Sequence, residues 1–137
     1  MAELKARVNL VAICHEGGPV AGTLGDALTV HAASLDANLT VEGPGKAVSV
    51  QATLGAGPLT VSLAAFSEVF LLFIKNTATT QTVTVTWGTT SVEVLPLGGV
   101  VLASKGGSYS TAGSRASLTV SGAAGATVEV LVAGSED

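Results

Sequence analysis

Few residues in this chain are of a type that could do chemistry. It holds one cysteine, two histidines and ten carboxylates in 137 residues. Cys14, His15 and Glu16 stand together and invite a nucleophile–base reading. Neighbours on a strand point to opposite faces, so Cys14 and His15 would not readily meet, and no third group is placed to orient the imidazole. The simpler reading is a small buried thiol at a strand end. His31, Ser34 and Asp36 include the three residue types of a hydrolase triad. Triads are defined by geometry rather than by composition. The plainer reading is a half-exposed histidine on a strand, followed by a polar turn.

Binding motifs fare no better. Two histidines and one cysteine are too few for a tetrahedral zinc site without carboxylates. Asp36-Ala37-Asn38 starts like a calcium loop, but Val41 stands where Gly is required and no Glu closes it. Gly43-Pro44-Gly45-Lys46 ends like a phosphate loop, but Thr40 takes the place of its first Gly and Ala47 follows the Lys. It reads better as a β-turn. Asn38-Leu39-Thr40 fits a glycosylation acceptor, which matters only in a secreted chain. Trp87 and Tyr109 could form a sugar-stacking platform, although a lone Trp closing an alternating strand more often lids a core. The expectation is therefore no catalytic residue, no metal or cofactor site, and a protein that is not an enzyme.

Composition narrows the class. Charged residues make up 12% of the chain, about half of the ~25% usual for soluble proteins. Net charge is −4, and the six basic residues, Lys5, Arg7, Lys46, Lys75, Lys105 and Arg115, are scattered. A nucleic-acid surface needs them clustered. One cysteine allows no intrachain disulfide. The N-terminal stretch lacks the layout of a signal peptide, so synthesis in a cytoplasm without secretion is expected.

The elements that would position any site are strands. The densest apolar run, Val69 to Ile74, is bounded by Glu68 and by Lys75-Asn76-Thr77. It is far too short for a membrane helix of ~20 residues and reads as a central strand buried on both faces. Period-2 alternation recurs through Leu4 to Ala12, Leu28 to Ala32, Val48 to Leu54 and Leu59 to Leu63. A helical turn around residues 32–37 is the one non-β element considered. In Thr82 to Leu95, Gly88-Thr89 suits a type II′ turn. That turn pairs Trp87 with Thr90, Val85 with Val92 and Val83 with Val94, placing the apolar partners on one face. A last hairpin is expected to join Leu118 and Val120 to Val128, Val130 and Val132 across Gly122-Ala123-Ala124-Gly125. The whole reads as one all-β domain, residues 1–137, a β-sandwich or jelly roll of about eight or nine short antiparallel strands. Residues 134–137 are expected to fray.

The faces opposite the apolar ones carry mainly Ser and Thr. Monomers normally guard strand edges with charge, proline or bulges. Thr82 to Thr86 and Gly99 to Ser104 carry no charge. This predicts that copies of the chain, or a partner surface, cover them, with a closed homo-oligomer as the default.

One resemblance bears on identity. Phe70-Leu71-Leu72-Phe73-Ile74-Lys75-Asn76-Thr77 leads to Val83-Thr84-Val85-Thr86-Trp87-Gly88, then Leu95-Pro96-Leu97-Gly98-Gly99-Val100-Val101-Leu102, and the strand Ala126 to Val132 closes the chain. This pattern resembles small all-β virion proteins of tailed bacteriophages over residues 66–132. The resemblance implies a structural role: a capsid decoration or cement protein, often trimeric, that clamps major capsid subunits, or else a tail or baseplate component. It implies a virion location, and contacts through the N-terminal segment (residues 1–7) and the loops. It carries over no site residue. A carbohydrate- or receptor-binding sandwich is the rival reading.

Overall fold

The computed structural model describes residues 4–16, 29–41, 45–104 and 107–136. Eleven strands and one 3-10 turn account for most of them. β1 (Leu4–Glu16) and β2 (Thr29–Val41) form an antiparallel ribbon, in register from Leu4 opposite Val41 to Glu16 opposite Thr29. The helical turn considered at residues 32–37 is instead the middle of β2.

The remaining strands are β3 (Gly45–Thr53), β4 (Leu59–Ser62), β5 (Phe66–Asn76), β6 (Val83–Trp87), β7 (Thr90–Val94), β8 (Gly99–Ala103), β9 (Tyr109–Ser110), β10 (Ser117–Gly122) and β11 (Thr127–Glu136). One sheet runs β3-β11-β5-β8 and the other β4-β10-β6-β7, while the two-residue β9 adds to β5. Consecutive strands repeatedly switch sheets, and among the described residues the only tight hairpin is β6–β7. This order, with four strands in each sheet, is that of a jelly roll. The expected all-β sandwich is present, and its order is not immunoglobulin-like. The structure has eleven strands where eight or nine are expected, the two-residue β9 among them.

β5 is buried on both faces, as its apolar run predicts. Phe66, Val69, Leu72 and Ile74 enter the core between the sheets, beside Val83, Val85, Leu118, Val120, Val128 and Val130. Leu71 faces outward and packs with Val8 of β1 and Ala133 of β11. Residues 66, 69 and 72 do not share a period of two. Two register shifts against β11, between Ala133 and Gly134 and between Ser135 and Glu136, supply the reason. They leave Phe70 and Ser67 without a partner on β11, and each extra residue resets which face the next side chain meets.

The β6–β7 register is the expected one, with Val83 opposite Val94, Val85 opposite Val92 and Trp87 opposite Thr90. Gly88 has φ 65°, and Thr89 is not among the positive-φ residues, as a type II′ turn requires. Two expectations fail. β10 and β11 form no hairpin: β10 lies between β4 and β6, and β11 between β3 and β5. Both strands bury alternate valines, so their apolar faces meet across the sandwich rather than side by side. Nor do residues 134–136 fray, because β11 continues to Glu136, opposite Phe66. Gly134 permits this. A Cβ there would run into the Glu68 carbonyl oxygen, so only glycine lets the strands approach.

Candidate functional site

The residues singled out for chemistry, Cys14, His15, Glu16, His31, Ser34 and Asp36, all lie on the β1–β2 ribbon. β2 runs extended through His31, Ser34 and Asp36. At ~3.3 Å per residue, His31 and Ser34 are about 10 Å apart along the strand and Asp36 lies further on. The ribbon places Cys14 opposite His31, His15 opposite Val30 and Glu16 opposite Thr29. Asp36 pairs instead with Arg7, Nε to Oδ1 3.7 Å, both side chains well exposed. A pair of this kind contributes little stability. Asp36-Ala37-Asn38 and Asn38-Leu39-Thr40 lie within β2 rather than in loops, which rules out a calcium loop there. Gly45 and Lys46 open β3 and pair with Ser135 and Gly134 of β11, while Gly43 and Pro44 lie outside the described residues. Among the described residues no three His, Cys, Asp or Glu gather to hold a metal. Among the described residues no helix is long and apolar enough to cross a membrane.

Trp87 is no platform. It is 6% exposed. Its indole N–H donates to the Arg115 carbonyl at 2.9 Å, the Arg115 guanidinium lies over the ring at 5.2 Å, and Tyr109 meets it edge-on at 5.7 Å. The 3-10 turn Gly113–Ala116 supplies Arg115 and so closes this corner of the sandwich.

What the fold does build is surface of two unusual kinds. The first is the outer face of β4-β10-β6-β7. Alternation puts Val61, Leu118, Val120, Val83, Val85 and Val94 inside, leaving Thr60, Ser62, Thr119, Ser121, Thr84, Thr86 and Ser91 outside. Register lines up Thr60, Thr119, Thr86 and Ser91 across all four strands. The hydroxyls of Thr86 and Ser91 are bonded at 3.0 Å. Glu93 is the only charged residue in these four strands.

The second lies on the opposite side. β1 crosses the outer face of the other sheet, where Val8 joins Leu71 and Ala133. β1 and β2 pair only with each other. Each has 13 residues, or about 43 Å of extended chain. Leu10, Val11 and Leu35 remain 45%, 60% and 40% exposed. Such a two-stranded ribbon is only marginally stable in water by itself, and among its described side chains Val8 is the buried one. Of the N-terminal contact segment, residues 4–7 belong to this ribbon.

An apolar tip adds to these surfaces. Leu95-Pro96-Leu97-Gly98 turns between the sheets, closed by Gly98 N–H to the Leu95 carbonyl at 2.9 Å. Leu97 is the one non-glycine residue with positive φ among the described residues, at 61°, a position a type II turn normally gives to Gly. Leu95 and Leu97 are 64% and 66% exposed. The prolyl turn was legible as a strand stop, but its strain was not.

Comparison with known proteins yields no match: no family model, no curated protein and no solved structure aligns with the chain.

Proposed function

We propose that the chain is a non-enzymatic structural protein of a phage particle, a capsid decoration or cement protein that stabilises the head by binding between capsid subunits. The observation that carries this reading is the sparsely charged hydroxyl face of β4-β10-β6-β7. Over four strands it carries one charge, Glu93, where a free-standing sheet normally spreads Lys and Glu as guards against association. Short hydroxyl side chains leave the backbone accessible to close, flat packing. They also satisfy their polar groups against a partner as readily as against water. The exposed Leu10, Val11 and Leu35 of the ribbon and the Leu95–Leu97 tip add contacts on other sides, which suits a molecule wedged between neighbours. The sequence pattern of residues 66–132 supplies the phage context. A homo-oligomer, with a trimer favoured, is part of the proposal, as is a virion location.

A tail or baseplate position uses the same surfaces and is the second form of the same reading. A carbohydrate-binding module is less favoured, because the tryptophan it would use is covered by Arg115. The test is location. Antibody raised against the pure chain is applied to virions of the phage that encodes it and viewed by electron microscopy. Label spread over heads supports decoration, label confined to tails selects the second form, and unlabelled particles contradict both.

A further inference from the structure

At the edges of β7 and β8 the two sheets part over an apolar cavity of about 210 Å³. Leu72, Ile74, Val100 and Leu102 form one wall, and Val85 and Trp87 the other. Val92, 37% exposed, stands at the mouth. Apolar cavities of this kind hold water poorly, and one of ~150 Å³ accepts benzene. The space therefore takes a single ring or a short alkyl chain, and is smaller than a drug-sized pocket of roughly 300 Å³ or more.

One lining residue is charged, Arg115. Among the described residues it has no carboxylate partner, and its guanidinium rests over the Trp87 ring. A cation at the rim of an apolar slot selects a ligand with an apolar body and an anionic end, since guanidinium binds carboxylate through paired N–H donors. We propose that this cleft binds a small apolar monocarboxylate, its ring or chain between the sheets and its carboxylate on Arg115. This site is separate from the hydroxyl face and does not depend on the structural role.

Trp87 is the only tryptophan and lines the cavity, so its emission reports occupancy. The experiment titrates the full chain with phenylacetate and, in parallel, with phenethyl alcohol, its uncharged counterpart. The expected result is a saturable change in emission, with the carboxylate bound more tightly. Arg115→Gln should weaken phenylacetate about threefold to tenfold more than it weakens the alcohol, and Arg115→Lys should restore part of the preference. Val92→Phe, at an exposed edge position where folding tolerates bulk, should fill the mouth and remove both responses. No saturable change, equal affinity for acid and alcohol, or binding that survives Val92→Phe would overturn the proposal. Emission that shifts with protein concentration alone, and excludes phenylacetate, would assign the cleft to a second copy and overturn it as well.

Discussion

The indole N–H of Trp87 donates to the backbone carbonyl of Arg115 at 2.9 Å, and the same residue's guanidinium lies over the ring face. One residue thus satisfies the polar edge of a buried aromatic and covers its flat side. Trp87 joins β6 to the 3-10 turn ahead of β10 and is part of the core between the sheets. Trp87→Ala is expected to lower unfolding stability by about 3–5 kcal/mol, measured by urea denaturation. A loss well under that range would mean the ring is not packed as described.

Asn76 ends β5 with its side chain wholly buried. Its Nδ2 donates to the carbonyls of Gln81 at 2.7 Å and Val94 at 3.0 Å, and its Oδ1 accepts from the Ala78 N–H at 3.0 Å. The residue ties the β5–β6 connection to the end of β7. Asn76→Ala would strand the Val94 carbonyl and the Ala78 N–H at buried positions and remove a bond from the part-buried Gln81 carbonyl. The expected loss is about 3 kcal/mol, and Asn76→Asp should not restore it, because a carboxylate cannot donate to Gln81 and Val94. Full stability in the aspartate variant would contradict this bonding.

Gly134 lies at the register shift where β11 passes Glu68 and Val69. A Cβ would meet the Glu68 carbonyl oxygen at a distance no real contact allows. Gly134→Ala should therefore push β11 from β5, with a stability loss of about 2 kcal/mol or more and faster amide exchange in residues 134–136. Unchanged exchange would show that the end of β11 is not held against β5.

Leu97 is strained in the opposite sense, being a bulky residue where the turn favours glycine. Leu97→Gly should raise stability by about 1 kcal/mol, seen as a higher thermal midpoint. If the Leu95–Leu97 tip serves attachment, the same variant should bind particles less well than the parent chain. A more stable variant that binds equally well would remove the tip from the contact surface.

Much of the sandwich was legible in the sequence because β-strand alternation is local. The β6–β7 register followed from Gly88-Thr89, two valine pairs and the Trp87–Thr90 pair, and the double-sided burial of β5 from an uninterrupted apolar run. The β10–β11 relation was not legible. Two alternating strands joined by four small residues look the same whether they pair in one sheet or face each other across two. The bulges at Ser67 and Phe70 were hidden for a related reason, since they arise from pairing with β11. The length of β2 was masked by Ser34, Asp36 and Asn38, turn-forming types that here sit in a paired strand. As for sites, the isolation of His31 from Ser34 follows from that same extension. The cover over Trp87 needed Arg115, 28 residues away, and no spacing rule connects them.

Light scattering on size-separated protein reads whether the sparsely charged face of β4-β10-β6-β7 is an assembly surface. Thr119 sits in the middle of that face, between Thr60 and Thr86. The expected result is a closed oligomer, with a trimer favoured, that persists on dilution, and a folded monomer for Thr119→Lys, whose charge would be buried in the contact. A parent chain that stays monomeric at every concentration, or an oligomer indifferent to Thr119→Lys, would contradict it.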